Sequence, residues 1–240
     1  MKLTDLLGEI EYECIQGSVQ REVTEVVYDS RKISPGCLFI CIEGANFDGH
    51  SFAREAAEKG AGALLVSKKV EGLAHKDVSV LLVEDTRYAM AFISAAYFGH
   101  PADRLKVIGV TGTKGKTTTT YLIKSILGSA GFKVGLVGTI ETVIGDEHIH
   151  ADNTTPESYL LQQYFSRMVE AGLDAVVMEV SSQALMLHRT QGFVFDYGVF
   201  TNLEPDHIGP NEHSSFEDYL GCKRLLFRQC KTGIVNADDA

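Results

Sequence analysis

Over roughly the first hundred residues, apolar positions come in short runs broken by glycine, proline and polar turn residues, a rhythm that predicts several short strands. Glu22 to Tyr28, Cys37 to Ile42, Ala63 to Ser67 and Val80 to Val83 read as strands, and Ser51 to Lys59 as a short helix. Thr86 to Phe98 reads as a longer amphipathic helix. The segment Gly99-His100-Pro101-Ala102-Asp103 then stops the helix with a glycine followed by a proline and reads as a linker. From Lys106 the rhythm changes. An apolar strand (Lys106 to Val110), a glycine-rich turn, a helix (Thr117 to Ala130) and a second strand (Lys133 to Val137) form a βαβ unit. Helix Pro156 to Gly172, strand Ala175 to Glu179, strand Tyr197 to Asn202, helix Phe216 to Cys230 and strand Gly233 to Asn236 follow. This alternation predicts an α/β protein: a small α/β domain over residues 1–102, then a doubly wound, mostly parallel sheet over residues 103–240 with helices on both faces. Four or five principal strands with no terminating element make that second domain incomplete, so the chain is expected to be a fragment of something longer.

Composition sharpens this picture in three places. No apolar run approaches the roughly 18–20 residues that cross a bilayer, and Asp5 and Glu9 interrupt any secretory leader, so a cytosolic protein is expected. The five cysteines include no CxxC pair; they suit a reducing compartment and read as core filler rather than as a metal site. Lys plus Arg less Asp plus Glu is 22 minus 32, a net charge of -10, which opposes nonspecific binding to nucleic acid or to an anionic membrane. Any anion must be held by local machinery.

Such machinery is visible at Thr111-Gly112-Thr113-Lys114-Gly115-Lys116-Thr117-Thr118, between a strand and a helix. That is the setting of a P-loop: glycines turn successive backbone N–H groups into one concavity and the helix adds its positive end. Lys116 can reach the β- and γ-phosphates of a nucleoside triphosphate, and the Thr117 hydroxyl is placed for Mg²⁺. The first glycine of the usual pattern is replaced by Val110. Downstream, Glu179 closes an apolar strand, where an acid either faces the phosphates or is a solvated cap. His207 in a loop and Lys223 on an amphipathic helix would, by themselves, be ordinary surface residues.

The run TGTKGKTTTT resembles the TGTNGKTT loop of the Mur ligase family, which likewise lacks the first glycine. Met178-Glu179-Val180-Ser181-Ser182 is similar to the family's MEVSSHAL segment, with Gln183 in place of histidine. Thr201-Asn202 followed by Asp206-His207 resembles TN-x-x-x-DHLD, with Gly209 where the family has aspartate. Tyr219 to Phe227 is similar to Y-x-x-AK-x-x-LF. The resemblance implies ATP and Mg²⁺ as cofactors. Gly112, Thr113, Lys114, Gly115, Lys116, Thr117 and Thr118 would bind the nucleotide, Thr117 and Glu179 would ligate one metal, and His207 and a carbamylated Lys223 would serve a second. Lys116, Glu179, His207 and Lys223 would form the catalytic set.

Asp29-Ser30-Arg31 and Phe47-Asp48-Gly49-His50-Ser51-Phe52 resemble the DSR and DGHxF motifs of the family's uridine-binding domain, placing Ser30 and Asn46 against the nucleotide-sugar. Asn153-Thr154-Thr155-Pro156 resembles NTTP, a muramyl-peptide segment, with Ser181 and Arg189 as further substrate contacts and Leu187 where the pattern has glutamine. Together these favour the branch that adds the third peptide residue. The implied reaction phosphorylates the free carboxylate of UDP-MurNAc-L-Ala-D-Glu and joins it to a diamino acid, meso-diaminopimelate or L-lysine, in a monomer. Another Mur or folylpolyglutamate-type ligase, or a noncatalytic fragment that binds UDP-muramyl peptide, are the alternatives left open.

Overall fold

The computed structural model describes residues 1–44, 47–73, 77–206, 208–209 and 213–238. The chain divides into two compact units, Met1–Tyr97 and Phe98–Ala240. The division precedes the segment Gly99 to Asp103 instead of falling within it, because Phe98 packs edge-on against Tyr159 with ring centroids 5.2 Å apart.

In the first unit the order is α1 (Leu3–Leu6), β1 (Glu13–Gln16), β2 (Val26–Val27), β3 (Leu38–Ile40), α2 (Ala53–Glu58), β4 (Ala63–Val66), β5 (Ser79–Leu82) and α3 (Thr86–Tyr97). They form a five-stranded sheet, β1-β5-β4-β3-β2, parallel except for β1 against β5. Strands β3 and β4 are buried along their whole length, which is why they read as continuous apolar runs. Ala53, Ala56 and Ala57 give α2 a small-residue face that packs with Phe39, Leu64 and Val66. The strand expected over Glu22 to Tyr28 is confined to Val26–Val27. β1 escaped the pattern because it is a polar edge strand held by its backbone, with Cys14 exposed rather than in the core.

In the second unit the order is β6 (Lys106–Thr111), α4 (Lys116–Ser129), β7 (Val134–Val137), β8 (Glu141–Ile144), β9 (Glu147–His150), α5 (Ser158–Glu170), β10 (Ala175–Glu179), α6 (Ser182–Met186), β11 (Phe195–Phe200), α7 (Phe216–Arg228) and β12 (Cys230–Val235). The sheet has seven strands, β12-β11-β6-β10-β7-β8-β9, and its first five run parallel. The expectation of four or five strands missed the antiparallel hairpin β8–β9, whose turn uses Gly145 at φ 60°. Alternate residues of the central strands serve opposite faces. Val107, Val176 and Met178 pack with Leu161, Phe165 and Met168 of α5, while Ile108, Val110 and Val177 pack with Tyr121, Ile123 and Leu127 of α4. At the start of the sheet, Asp196 of β11 accepts from Val107 N (2.9 Å), Lys106 Nζ (3.3 Å) and Lys231 Nζ (3.0 Å). Burial alone would raise this carboxyl, yet the amide and the two lysines hold it below the ordinary carboxylate range. Among the described residues no helix is long and apolar enough to cross a membrane.

Candidate active site

The chain returns to both sides of β6: β10 pairs with one edge and β11 with the other. Their carboxyl ends therefore frame the turn after β6, the position where an open α/β sheet collects ligands. The turn itself depends on two glycines at positive φ, Gly112 (φ 148°) and Gly115 (φ 78°). A Cβ at Gly112 would stand 2.0 Å from Thr201 Oγ1, so only glycine fits there. From the far side, Asn202 grips the turn: its Oδ1 accepts from Lys114 N at 2.9 Å and its Nδ2 donates to Lys114 O at 3.0 Å.

The members of the loop divide by role. Thr113 is buried and its hydroxyl bonds Tyr219 OH (3.1 Å) and Glu204 N (2.9 Å), so it fastens the turn to α7 and to the loop after β11. Lys114 points outward and pairs with Glu204. Lys116 Nζ donates to the carbonyls of Gly112 (2.9 Å) and Thr113 (3.0 Å). Burial lowers its pKa, against the opposing pull of Glu179 and Asp206. Thr118 is exposed on the first turn of α4.

Glu179 is 1% exposed, and its carboxylate is held by three donors. Thr117 Oγ1 donates to Oε2 at 2.9 Å, Thr139 N to Oε1 at 2.9 Å and Thr139 Oγ1 to Oε2 at 3.1 Å. Thr139 was not singled out from the sequence, although it follows β7 as Glu179 closes β10, and strand-end position was the available signal. Lys223, on α7, is also 1% exposed; its Nζ donates to Gly112 O at 2.9 Å and lies 4.4 Å from the centroid of the Tyr219 ring. Burial, reinforced by Lys116, pushes its pKa down to about 7. A helical lysine that would ordinarily face water is thus turned inward.

Lys116, Lys223, Asn153, Thr154, Thr155, Ser181 and Arg189 are brought to one cavity of 430 Å³, whose wall also includes Ser182, Gln183, Met186 and His213. Some of the hydroxyls are already committed. Thr155 Oγ1 donates to Glu179 O (2.9 Å) and accepts from Ser181 N (3.1 Å), while Ser181 Oγ caps α6 through Ala184 N (3.1 Å). Arg189 donates to Thr155 O (3.1 Å) and pairs with Glu157 (2.9 Å), while its buried Nε has no hydrogen-bond partner among the described residues. His207 lies outside the described residues.

The first unit carries its own cavity of 670 Å³, lined by Tyr28, Asp29, Ser30, Arg31, Phe39, Ile42, Phe47, Gly49 and Phe52. Ser30 therefore sits among aromatic rings; Asn46 lies outside the described residues. Asp29 caps the turn Ser30–Lys32 and holds Arg31 by two bonds of 2.9 and 2.7 Å. The Arg31 guanidinium lowers the Asp29 pKa to about 2. The Asp48-Gly49-His50 stretch is a loop fastener: Asp48 Oδ1 meets His50 Nδ1 at 2.6 Å, and His50 Nε2 accepts from Ser67 N at 3.0 Å.

These features define a two-unit α/β protein with a P-loop at the switch point of its larger sheet. Comparison with known proteins narrows the class. The profile of the Mur ligase middle domain matches residues 110–240 and that of the Mur ligase family, catalytic domain, matches residues 22–98. The chain belongs to the Mur ligase family. It is 46% identical over 239 residues to the UDP-N-acetylmuramoyl-L-alanyl-D-glutamate--2,6-diaminopimelate ligase of Clostridium perfringens, covering all of this chain and 49% of that protein. The equivalently named protein of Bacillus licheniformis is 42% identical, with 100% and 50% covered. A solved structure of a UDP-N-acetylmuramoyl-L-alanyl-D-glutamate--2,6-diaminopimelate ligase superposes with a TM-score of 0.83 at 27% identity, covering 100% of this chain and 48% of that one. MurF from Acinetobacter baumannii shares the fold at a TM-score of 0.64 and 20% identity, with 99% and 49% covered. The chain thus spans about half the length of the curated relatives it matches.

Proposed function

We propose that this chain serves an ATP-dependent ligase that activates the free carboxylate of UDP-MurNAc-L-Ala-D-Glu by phosphorylation and joins it to 2,6-diaminopimelate. One observation carries the reading: a P-loop threonine and a buried strand-end glutamate are joined at 2.9 Å beside a cavity lined by two lysines. The diamino acid is chosen over L-lysine because the curated relatives reported above are named for 2,6-diaminopimelate.

A carboxylate resists amine attack because it has no good leaving group. Transfer of the γ-phosphoryl group of ATP to its oxygen supplies one, and the incoming amine then forms the amide as phosphate departs. The obstacle is charge, since a triphosphate and a carboxylate must meet on a protein of net charge -10. Lys116, released from the Gly112 and Thr113 carbonyls, supplies a cation to the β- and γ-phosphates. The Thr117 hydroxyl and Glu179 carboxylate are all-oxygen donors of the type Mg²⁺ selects, and a carboxylate this buried, with neutral donors from Thr117 and Thr139, suits a cation. Mg²⁺ held there would neutralise phosphate charge. Asn153, Thr154 and Arg189 orient the peptide end of the substrate, and Ser30 with the rings around it takes the uridine end.

Lys223 has the properties that carbamylation needs. With its pKa near 7 a large share of the amine is neutral at physiological pH; its lone pair adds to CO₂, forming an N–C bond and releasing one proton. The product is an anion that attracts Lys116, where the ammonium form of Lys223 would repel it. Together with His207, that anion would be the ligand set for a second Mg²⁺. The nucleotide substrates put the reaction in the cytosol, and a monomer suffices.

The test is a ligation assay on the chain in its natural sequence context. Lys116→Ala is expected to remove activity by a factor of about 10²–10³ or more. Undiminished turnover would overturn the assignment, as would failure of UDP-MurNAc-L-Ala-D-Glu to bind in a calorimetric titration.

A further inference from the structure

One cluster that reaches the cavity wall through His213 is unused by the reaction above. His213 is 3% exposed, and its Nδ1 is a buried atom with no hydrogen-bond partner among the described residues. It faces Asp218 Oδ2 at 3.6 Å, too far for a hydrogen bond. Cys222, one helical turn beyond Asp218, places its Sγ 3.7 Å from the other carboxylate oxygen. The ligand atoms of the three residues lie within 4.8 Å of one another. Two ligands on a tetrahedral zinc-class ion, with bonds of about 2.0–2.3 Å, stand about 3.3–3.7 Å apart; the 3.6 and 3.7 Å separations, each to a different oxygen of Asp218, lie in that range, so a small turn of the carboxylate would bring one oxygen to both partners.

The surrounding contacts set the same geometry. Ser182 Oγ lies 2.8 Å from His213 Nε2. When that oxygen accepts the Nε2 proton, the imidazole lone pair is left on Nδ1, directed at the carboxylate. In that tautomer the lone pair and the carboxylate converge on a point where a cation can sit; with the proton on Nδ1 instead, the same position is held by that proton. Ser214 donates through N (3.0 Å) and Oγ (3.2 Å) to Asp218 Oδ2, which fixes that side chain and, through its backbone amide first, keeps the carboxyl below its ordinary range.

We propose that His213 Nδ1, an Asp218 carboxylate oxygen and Cys222 Sγ bind one divalent transition-metal ion of the zinc class. The donor set is nitrogen, oxygen and sulfur, which selects zinc-class ions over Mg²⁺ or Ca²⁺. On binding, the Cys222 S–H bond breaks, a metal–sulfur bond forms, and the proton leaves to solvent past half-exposed Asp218. The site differs in place and chemistry from the oxygen set of Thr117 and Glu179, and it does not depend on the ligase reading. Because His213 lines the cavity shared by Lys116 and Lys223, a bound ion adds positive charge to that wall.

Titration of the metal-free chain with Co²⁺, then with Zn²⁺ as competitor, tests this. One equivalent of Co²⁺ is expected to produce a thiolate-to-cobalt charge-transfer band that Zn²⁺ abolishes. Cobalt at the Thr117–Glu179 site would give no such band, since its donors are oxygens and not a thiolate. The band should vanish in Cys222→Ala and persist in Cys14→Ala, which removes an exposed thiol. Asp218→Asn, on the open side of the site, should weaken Co²⁺ at least tenfold, and Ser182→Ala by about 10–100-fold, with circular dichroism confirming that each variant is folded. Absence of the band in the unmodified chain, its survival in Cys222→Ala, or unchanged affinity in folded Asp218→Asn would overturn the proposal.

Discussion

A methyl group added at Gly138 would stand 2.6 Å from Glu179 Oε1. Gly138 does not need a left-handed backbone, so Gly138→Ala tests the placement of the carboxylate with little backbone strain. It is expected to lower the ligation rate about a hundredfold, the usual cost of an ångström-scale misplacement, as read from kcat/KM for phosphate release. Asp29 offers a test in the other unit. Its pKa is depressed to about 2 by Arg31, so its stabilising contribution is complete above the unfolded value of 3.8 and is lost as pH falls through about 2. Thermal unfolding should show Asp29→Asn less stable than the parent at pH 7, with the gap closing toward pH 2. Lys116, Thr117 and Glu179 were legible in the sequence because a strand end or a helix start fixes where such side chains go. Thr139 and His213 were not, and Tyr219 was visible only as the start of a motif without its role, because their partners come from segments far away in the chain that only the assembled sheet brings together.

Among the elements, the buried strands and long helices could be read directly. Their apolar residues are set by burial on one or two faces, as in β3, β4, β10 and α5. The edge elements could not be read so simply. β1 and β9 expose most of their side chains, so pairing rather than burial defines them. The β8–β9 hairpin is anchored by Val143 and Ile144, buried in the core, and by polar contacts as well: Glu141 accepts from Tyr121 OH at 2.7 Å and meets His148 Nδ1 at 2.7 Å. Helix α5 supplies the apolar counterpart, with Phe165 packed edge-on against Phe193 at 5.2 Å between centroids. Phe165→Ala is expected to destabilise the second unit by about 3–5 kcal/mol, measured by denaturant unfolding with near-ultraviolet circular dichroism as the probe.

For the molecule as a whole, net charge frames the problem of holding a triphosphate. Chelation of divalent cations is therefore expected to weaken ATP binding at least tenfold in calorimetry, and matched monovalent salt should not restore it. Division into two α/β units was visible from the change of rhythm near Lys106, although the switch-point arrangement of β10 and β11 around β6 had to come from strand order. Asp196 gives that sheet a polarity beyond its topology. By tying β6, β11 and β12 together at the edge where they begin, one carboxylate hems the fabric on the side away from the glycine turn after β6. An engineer can therefore tighten or loosen that seam to tune durability while leaving the working margin, and the choice of what it grips, uncut.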